Sequence, residues 1–384
     1  MNKYISPLIL FLLAACRGDE PTVPPEYKPL PGEITADSLP SGMYVLNEGN
    51  MGSNKSTIDF ADFRNGVYIR NLYPERNPSV IKELGDVGND IQIYGSRLYA
   101  VINCSHKVEV MDACTCKRIG QVDIPNCRYI RFLQGNAYVS SYVGPVAIDP
   151  NAQLGAVFRV DTASLQVTGT VTVSYQPDEM EITDEYIYVA NSGGYRGGSG
   201  KTEYDNTVSV VEINSMKQVR KIPVGINLHR IRRDSYGKLW VSSRGNYKNI
   251  PSRLFVLDRK NPNSREMVVT DSLDIPCSNM CIRGDSLYFY SAEWNEQKGK
   301  NTVSYGIINV KTKQLVTSHF ITDGTEKDIA VPYGIQVNPV NGDIYVTDAK
   351  NYVSSGTLHC YDRNGKLKWS EQTGDIPAHM CFLN

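Results

Sequence analysis

Nine side chains in this sequence combine types and placements suited to gripping a ligand: Arg128, Glu179, Tyr195, His229, Arg244, Tyr247, Trp294, Tyr333 and Tyr352. Guanidinium forks bind phosphate or carboxylate oxygens, a carboxylate accepts from amide N–H groups, and Tyr or Trp rings cover apolar edges while keeping a polar tip. These are binding chemistries. Patterns for turnover are missing from the sequence, which contains no G-x-S-x-G elbow and no H-E-x-x-H pair. Its five histidines, at 106, 229, 319, 359 and 379, are scattered, and no carboxylate recurs beside them. The chain therefore reads as a binder and not as an enzyme, with no catalytic cofactor. The run "GKT" at 200 to 202 imitates a phosphate loop, but Walker spacing demands glycine where Tyr195 stands. Cys114 and Cys116 form a C-x-C without a second pair, which is a poor metal signature.

The elements that carry these residues repeat. "YVLNEGN" at 44 to 50 returns as "LYAVINCS", "AYVSSY", "IYVANSGGY", "LWVSSRGNY", "LYFYSAEW" and "IYVTDAKNY". The aromatic position of each copy falls at Tyr44, Tyr99, Tyr138, Tyr188, Trp240, Tyr288 and Tyr345, in steps of 55, 39, 50, 52, 48 and 57 residues. A period of about 50 suits four short strands and their turns, the blade of a β-propeller, and is too long for common helical solenoids. Six copies are preceded by a second strand and a Gly or Asp turn, as in "NDIQIYGSRLY" and "YGIQVNPVNGDIY". Period-two alternation such as Met180 and Ile182 marks these as strands packed between sheets. Outer hairpins follow, as in "SVVEINSMKQVRKIPV" at 209 to 224.

The first copy has no partner in front of it, only a proline-rich stretch, whereas "DIPAHMCFLN" at 375 to 384 repeats the opening of "DIPNCRYIRFL" and then the chain stops. Joining the two completes a blade and removes the open sheet edges. The expected fold is all-β: a seven-bladed β-propeller, four strands per blade, closed by pairing of the N- and C-terminal strands. In such a ring the loop before each innermost strand and the loop after each second strand share one rim. Arg128, Glu179, His229 and Tyr333 belong to the first kind of loop, and Tyr195, Arg244, Tyr247, Trp294 and Tyr352 to the second. Turn-making loops favour Gly, Pro, Asn, Asp and Ser, so Arg and aromatic residues there mark the rim as the functional surface. Cys104 ends a second strand and Cys127 opens the next inner strand on the same rim, so a disulfide between them is geometrically reasonable.

Charge excludes one class of partner. With 40 basic and 41 acidic residues there is no basic excess to meet nucleic acid. Tyrosine, at 24 of 384 residues, is abundant in a way that suits strands, a ligand face, or both.

Residues 1–15 read as a signal peptide: "MNKY" is basic, "ISPLILFLLAA" is too short to span a bilayer, and "LAAC" resembles a lipobox ending at Cys16. Cys16 is then the lipid-bearing first residue of the mature chain, 16–40 an extended proline-rich linker, and 41–384 the propeller. Asp19 and Glu20 resemble the acidic signal that sends Bacteroidetes lipoproteins to the outer face of the outer membrane, although the usual leading serine is absent.

Across the mature chain, "GMYVLNEGNMGSNKSTIDF", "KELGDVGNDIQIYGSRLYAVINCSHKVEVMD", "PNCRYIRF", "IYVANSGGY", "INLHRI", "LWVSSRGNY", "FITDGTE" and "TGDIPAH" resemble the surface-exposed cobalamin-binding lipoproteins of gut Bacteroidetes, within the YncE-like seven-bladed propellers. The resemblance implies that cobalamin is held on the propeller face as a transport ligand. It also implies a partner, the TonB-dependent outer-membrane cobalamin transporter, to which the vitamin passes. A corrinoid is a broad, flat macrocycle fringed by amides, with a phosphate and a ribose in its nucleotide loop. Arg side chains suit the phosphate, Glu179 the amides and the aromatic rings the apolar edges. A carbohydrate-binding or protein-scaffolding propeller would use similar rim residues.

Overall fold

The computed structural model describes residues 24–31, 40–80, 84–198, 201–295 and 300–384. Cys16, Asp19 and Glu20 lie outside the described residues, as does the whole signal segment. Seven antiparallel sheets form the ring, each with its inner strand against the inner strands of its two neighbours. From inside outward, blade 1 is Pro377–Leu383, Gly42–Asn47, Thr57–Asp62 and Val67–Arg70. Blades 2 to 7 begin with Gly88–Tyr94, Cys127–Leu133, Pro177–Ile182, Leu228–Arg233, Asn279–Arg283 and Pro332–Val337, and each runs outward through three further strands.

Blade 1 closes the ring as expected. Tyr44 pairs with Cys381 and Val45 with Met380, so the last strand of the chain is the inner strand of its first blade. The expected free linker differs in one respect: Glu26–Pro29 docks as a fifth strand on Val67–Arg70. Leu30 follows it into the core. An outermost strand otherwise offers open N–H and C=O groups, and this segment covers them.

The recurring aromatic residue is a core plug. Tyr99 of blade 2 packs with Ile130 and Val139 of blade 3, and Trp240 of blade 5 with Met280 and Leu287 of blade 6. Tyr345 of blade 7 reaches Met43 and Phe63 of blade 1, closing the circle of contacts. Each such ring buries a large apolar surface between sheets, at about 1.5–3 kcal/mol apiece. One excursion breaks the pattern. In blade 6 the second and third strands, Ser286–Asn295 and Lys300–Asn309, are ten residues each and project beyond the sheet as a hairpin. No helix among the described residues is long and apolar enough to cross a membrane.

Candidate functional site at the mouth of the propeller channel

A single backbone device builds most of the rim. Val87, Asn126, Gln176, Asn227 and Ile376 stand immediately before the inner strands of blades 2, 3, 4, 5 and 1, and all five have left-handed φ between 39° and 60°. That conformation is costly for a β-branched residue such as Val87 or Ile376. It is held by a repeated hydrogen bond: the first residue after the second strand donates its N–H to the left-handed residue's carbonyl. The pairs are Asn103 to Val87, Tyr142 to Asn126, Ser192 to Gln176, Arg244 to Asn227 and Glu48 to Ile376, at 2.8–3.1 Å. The two loops of each of these blades are thereby pinned side by side at the channel mouth.

The mouth opens into a cavity of ≈ 570 Å³, within the range of small-molecule sites. Seven of the nine expected residues line it: Arg128, Tyr195, His229, Arg244, Tyr247, Tyr333 and Tyr352. Tyr247, 66% exposed, and Tyr352, 39% exposed, stand at its lip, both on left-handed backbone. Tyr333 donates its hydroxyl to Glu48 at 3.0 Å and meets Tyr352 edge-on, with 5.7 Å between ring centroids.

Glu179 is a correction. It is 1% exposed and does not line the cavity. Arg131 at 2.9 Å and Arg232 form ion pairs with it, and the Ile231 N–H donates to it at 3.0 Å. Its backbone position was legible as rim-adjacent, but at the register shift between Pro177 and Met180 its side chain is taken up by arginines of blades 3 and 5. Trp294 sits in the projecting hairpin, paired with Asn301, and its side chain lies outside the described residues. The geometrically reasonable Cys104–Cys127 bridge is not formed, since both thiols are free. Cys127 Sγ is directed at the carbonyls of Ile102 and Lys107, and Cys104 Sγ at Asn103 Oδ1.

The organising group of the mouth is Asp178, fully buried on blade 4. Its Oδ1 accepts from Tyr142 Oη at 2.8 Å and from Arg128 at 3.3 and 3.4 Å, and its Oδ2 meets His229 Nδ1 at 3.2 Å. Arg128 also donates to Asn89 and lies over the Tyr142 ring at 4.7 Å. Arg244 Nη2 lies 2.7 Å from His229 Nε2. Because arginine can only donate, Nε2 is the acceptor and the neutral ring carries its proton on Nδ1, toward Asp178. Tyr129 supplies the floor, edge-on between His229 at 6.4 Å and His379 at 6.0 Å, and accepts from Arg230 at 3.0 Å.

Tyr129 and Tyr290 are residues that the sequence reading missed, because neither falls in a rim loop. The available signal was strand parity: Tyr129 stands two places after the start of its inner strand, and Tyr290 two places after the repeat aromatic Tyr288. No group of three or more His, Cys, Asp or Glu suited to a metal ion occurs among the described residues.

Burial together with the Arg244 and Arg230 guanidiniums holds the His229 titration well below the ordinary imidazole value, against the pull of Asp178. Burial raises Asp178, but the hydrogen bond from His229 and the charge of Arg128 outweigh it and hold the carboxyl well below its usual range. Glu179 is likewise raised by burial, and Arg232 and Arg131 bring it down to about 2. As pH falls through about 6.5 the unfolded chain takes up a proton at His229 that the folded chain refuses, so stability falls. A second decline begins near about 4, where unfolded-state carboxylates protonate before Asp178 and Glu179 do. Thermal melts from pH 8 to 3 should show both limbs, with the first shallower in His229→Gln. A flat melting temperature between pH 7 and 5 in both proteins would contradict this assignment.

Fold and mouth together define a seven-bladed propeller with a polar, tyrosine-rich recess at its channel. The chain belongs to the family described as a domain of unknown function (DUF5074), which it matches over residues 41–382. None of the curated proteins compared with the chain matches it. Among solved structures it is similar to a hypothetical selenium-binding protein from Sulfolobus tokodaii, at 11% identity over 90% of this chain and 94% of that one, with a TM-score of 0.65. It is also similar to a candidate 6-phosphogluconolactonase from Bacteroides fragilis, at 11% identity over 92% and 100% of the two chains and a TM-score of 0.61. A functionally unknown protein from Desulfotomaculum acetoxidans gives 9% identity, 89% and 98% coverage and 0.58. At such identities the likeness concerns the fold alone.

Proposed function

We propose that this protein captures cobalamin and related corrinoids at the propeller mouth, without turnover, and passes them to a TonB-dependent transporter in the outer membrane. The observation that carries the reading is convergence. Residues from all seven blades, five of which have pinned loops, bring guanidiniums and tyrosines to one cavity, and this matches the chemistry of a ligand that is broad, amide-fringed, partly apolar and anionic at one point. Rim backbone pinned in costly conformations is preorganised, which lowers the ordering cost of binding and favours tight capture of a scarce solute. Mixing the purified full-length protein with cyanocobalamin and desalting should carry red absorbance with the protein. Colourless protein would end the corrinoid reading and favour a carbohydrate or a protein ligand at the same rim.

The proposed location follows from the start of the chain: Cys16 carries lipid and Asp19 with Glu20 directs the propeller outward. Cys16→Ala should move the protein out of the outer-membrane fraction, because the lipid tether is lost and no helix among the described residues is long and apolar enough to replace it. Unchanged membrane recovery of that variant would reject the anchor.

A further inference from the structure

Charge at the mouth is shared unevenly between its two sides. Asp90 is bound by Arg131 at 2.8 Å, Glu179 by Arg131 and Arg232, and Asp178 by Arg128 at 3.3 Å. Those contacts commit three of the five guanidiniums that blades 3 and 5 place around the channel. The remaining two both belong to blade 5 and both line the cavity.

Arg230, 6% exposed, sits on the inner strand Leu228–Arg233. Its Nη1 donates to Tyr129 and comes no closer to Glu179 than 3.7 Å, and its buried Nε has no partner among the described residues. Arg244 follows the second strand, and its side chain makes one hydrogen bond among the described residues, to the neutral His229 ring. A buried guanidinium with an open N–H is costly unless something else accepts from it. The carboxylate among the residues lining the cavity, Glu48, belongs to blade 1, across the ring, where Tyr333 donates to it.

We propose that Arg230 and Arg244 form an oxoanion subsite. It takes a phosphate-type group of the ligand, with Arg244 aimed by His229 and through it by Asp178. Resting on the corrinoid reading, this sets the ligand's orientation: the phosphodiester lies at blade 5, and the neutral remainder extends toward Glu48, Tyr333 and Tyr352. Arg128 is set apart from this subsite, because Asp178 neutralises it and, with Asn89, takes three of its N–H donors.

The test uses calorimetry on the full-length protein with cobinamide, which lacks the anion, and cobinamide phosphate, which carries it without the nucleotide base. The wild type should prefer cobinamide phosphate by about tenfold or more, the span expected of charge-assisted hydrogen bonds. R230Q/R244Q should lose that preference, its affinity for cobinamide phosphate falling to its affinity for cobinamide. Arg244→Gln alone, which leaves no carboxylate unpaired, should lose part of it and guards against a double variant that fails to fold. Equal wild-type affinity for the two ligands, or a preference that survives in the variants, would overturn the subsite. Should wild type bind neither corrinoid, the corrinoid reading fails and melting in inorganic phosphate against chloride at matched ionic strength decides the subsite separately. A phosphate-specific rise in Tm that Arg244→Gln removes supports the oxoanion site, and identical melts in the two salts reject it.

Discussion

Deletion of residues 377–384 is expected to leave no folded propeller. The lost strand, Pro377–Leu383, is the inner strand of blade 1, laddered to Gly42–Asn47 on one side and packed between the inner strands of blades 7 and 2. Met380 helps form the core between blades 7 and 1, and Cys381 the core between blades 1 and 2, so both seams open at once. A few buried side chains at about 1.5–3 kcal/mol each, with a ladder of backbone hydrogen bonds, amount to the ~5–15 kcal/mol that holds a typical domain together. Circular dichroism melting and size exclusion should show no cooperative transition and an aggregated product. A cooperative melt within a few degrees of the full chain would refute closure as the source of stability. Deletion of Glu26–Pro29 is the informative control, since that strand covers an outer edge of the same blade and touches no seam of the channel.

Asp178→Ala should destabilise the protein by about 3–5 kcal/mol, the usual penalty for removing one member of a buried charge pair. Arg128 would lose its ionic partner, Tyr142 its acceptor and His229 the acceptor of its Nδ1–H. Blades 3, 4 and 5 meet at this carboxylate, so the mouth should loosen as well, and cyanocobalamin affinity should fall by more than any single lip tyrosine variant causes. Asp178→Asn separates charge from shape. Its amide oxygen can still accept from Tyr142 and Arg128, but its NH2 facing His229 Nδ1 calls for the opposite tautomer, placing an N–H against Arg244. Denaturant titration should find Asn between wild type and Ala, with ligand binding impaired in both. Wild-type stability in Asp178→Ala would mean that Arg128 is adequately solvated without its partner.

Blade number and ring closure were legible because they are written in local pattern: an aromatic residue every ~50 positions and an inner-strand motif displaced to the far terminus. The rim too was legible, since chain order in a propeller dictates which loops share a face, and seven of nine chosen residues line the cavity. Side-chain aim was not. Glu179 and Asp178 are neighbours in sequence, yet one is tied to Arg131 and Arg232 while the other gathers Tyr142, Arg128 and His229, and the pair stands where the strand register shifts, an irregularity that re-aims side chains.

Nor could linear spacing distinguish Arg128, which spends three donors on Asp178 and Asn89, from Arg244, which spends one on His229, because pairing depends on residues 15 to 50 positions distant. The sequence is enough to place the seven strands and their polar tails on one ring. Only the folded ring decides which charges neutralise one another. Electrostatic pairing acts across a few ångströms of space, between groups that closure of the ring brings together from different blades.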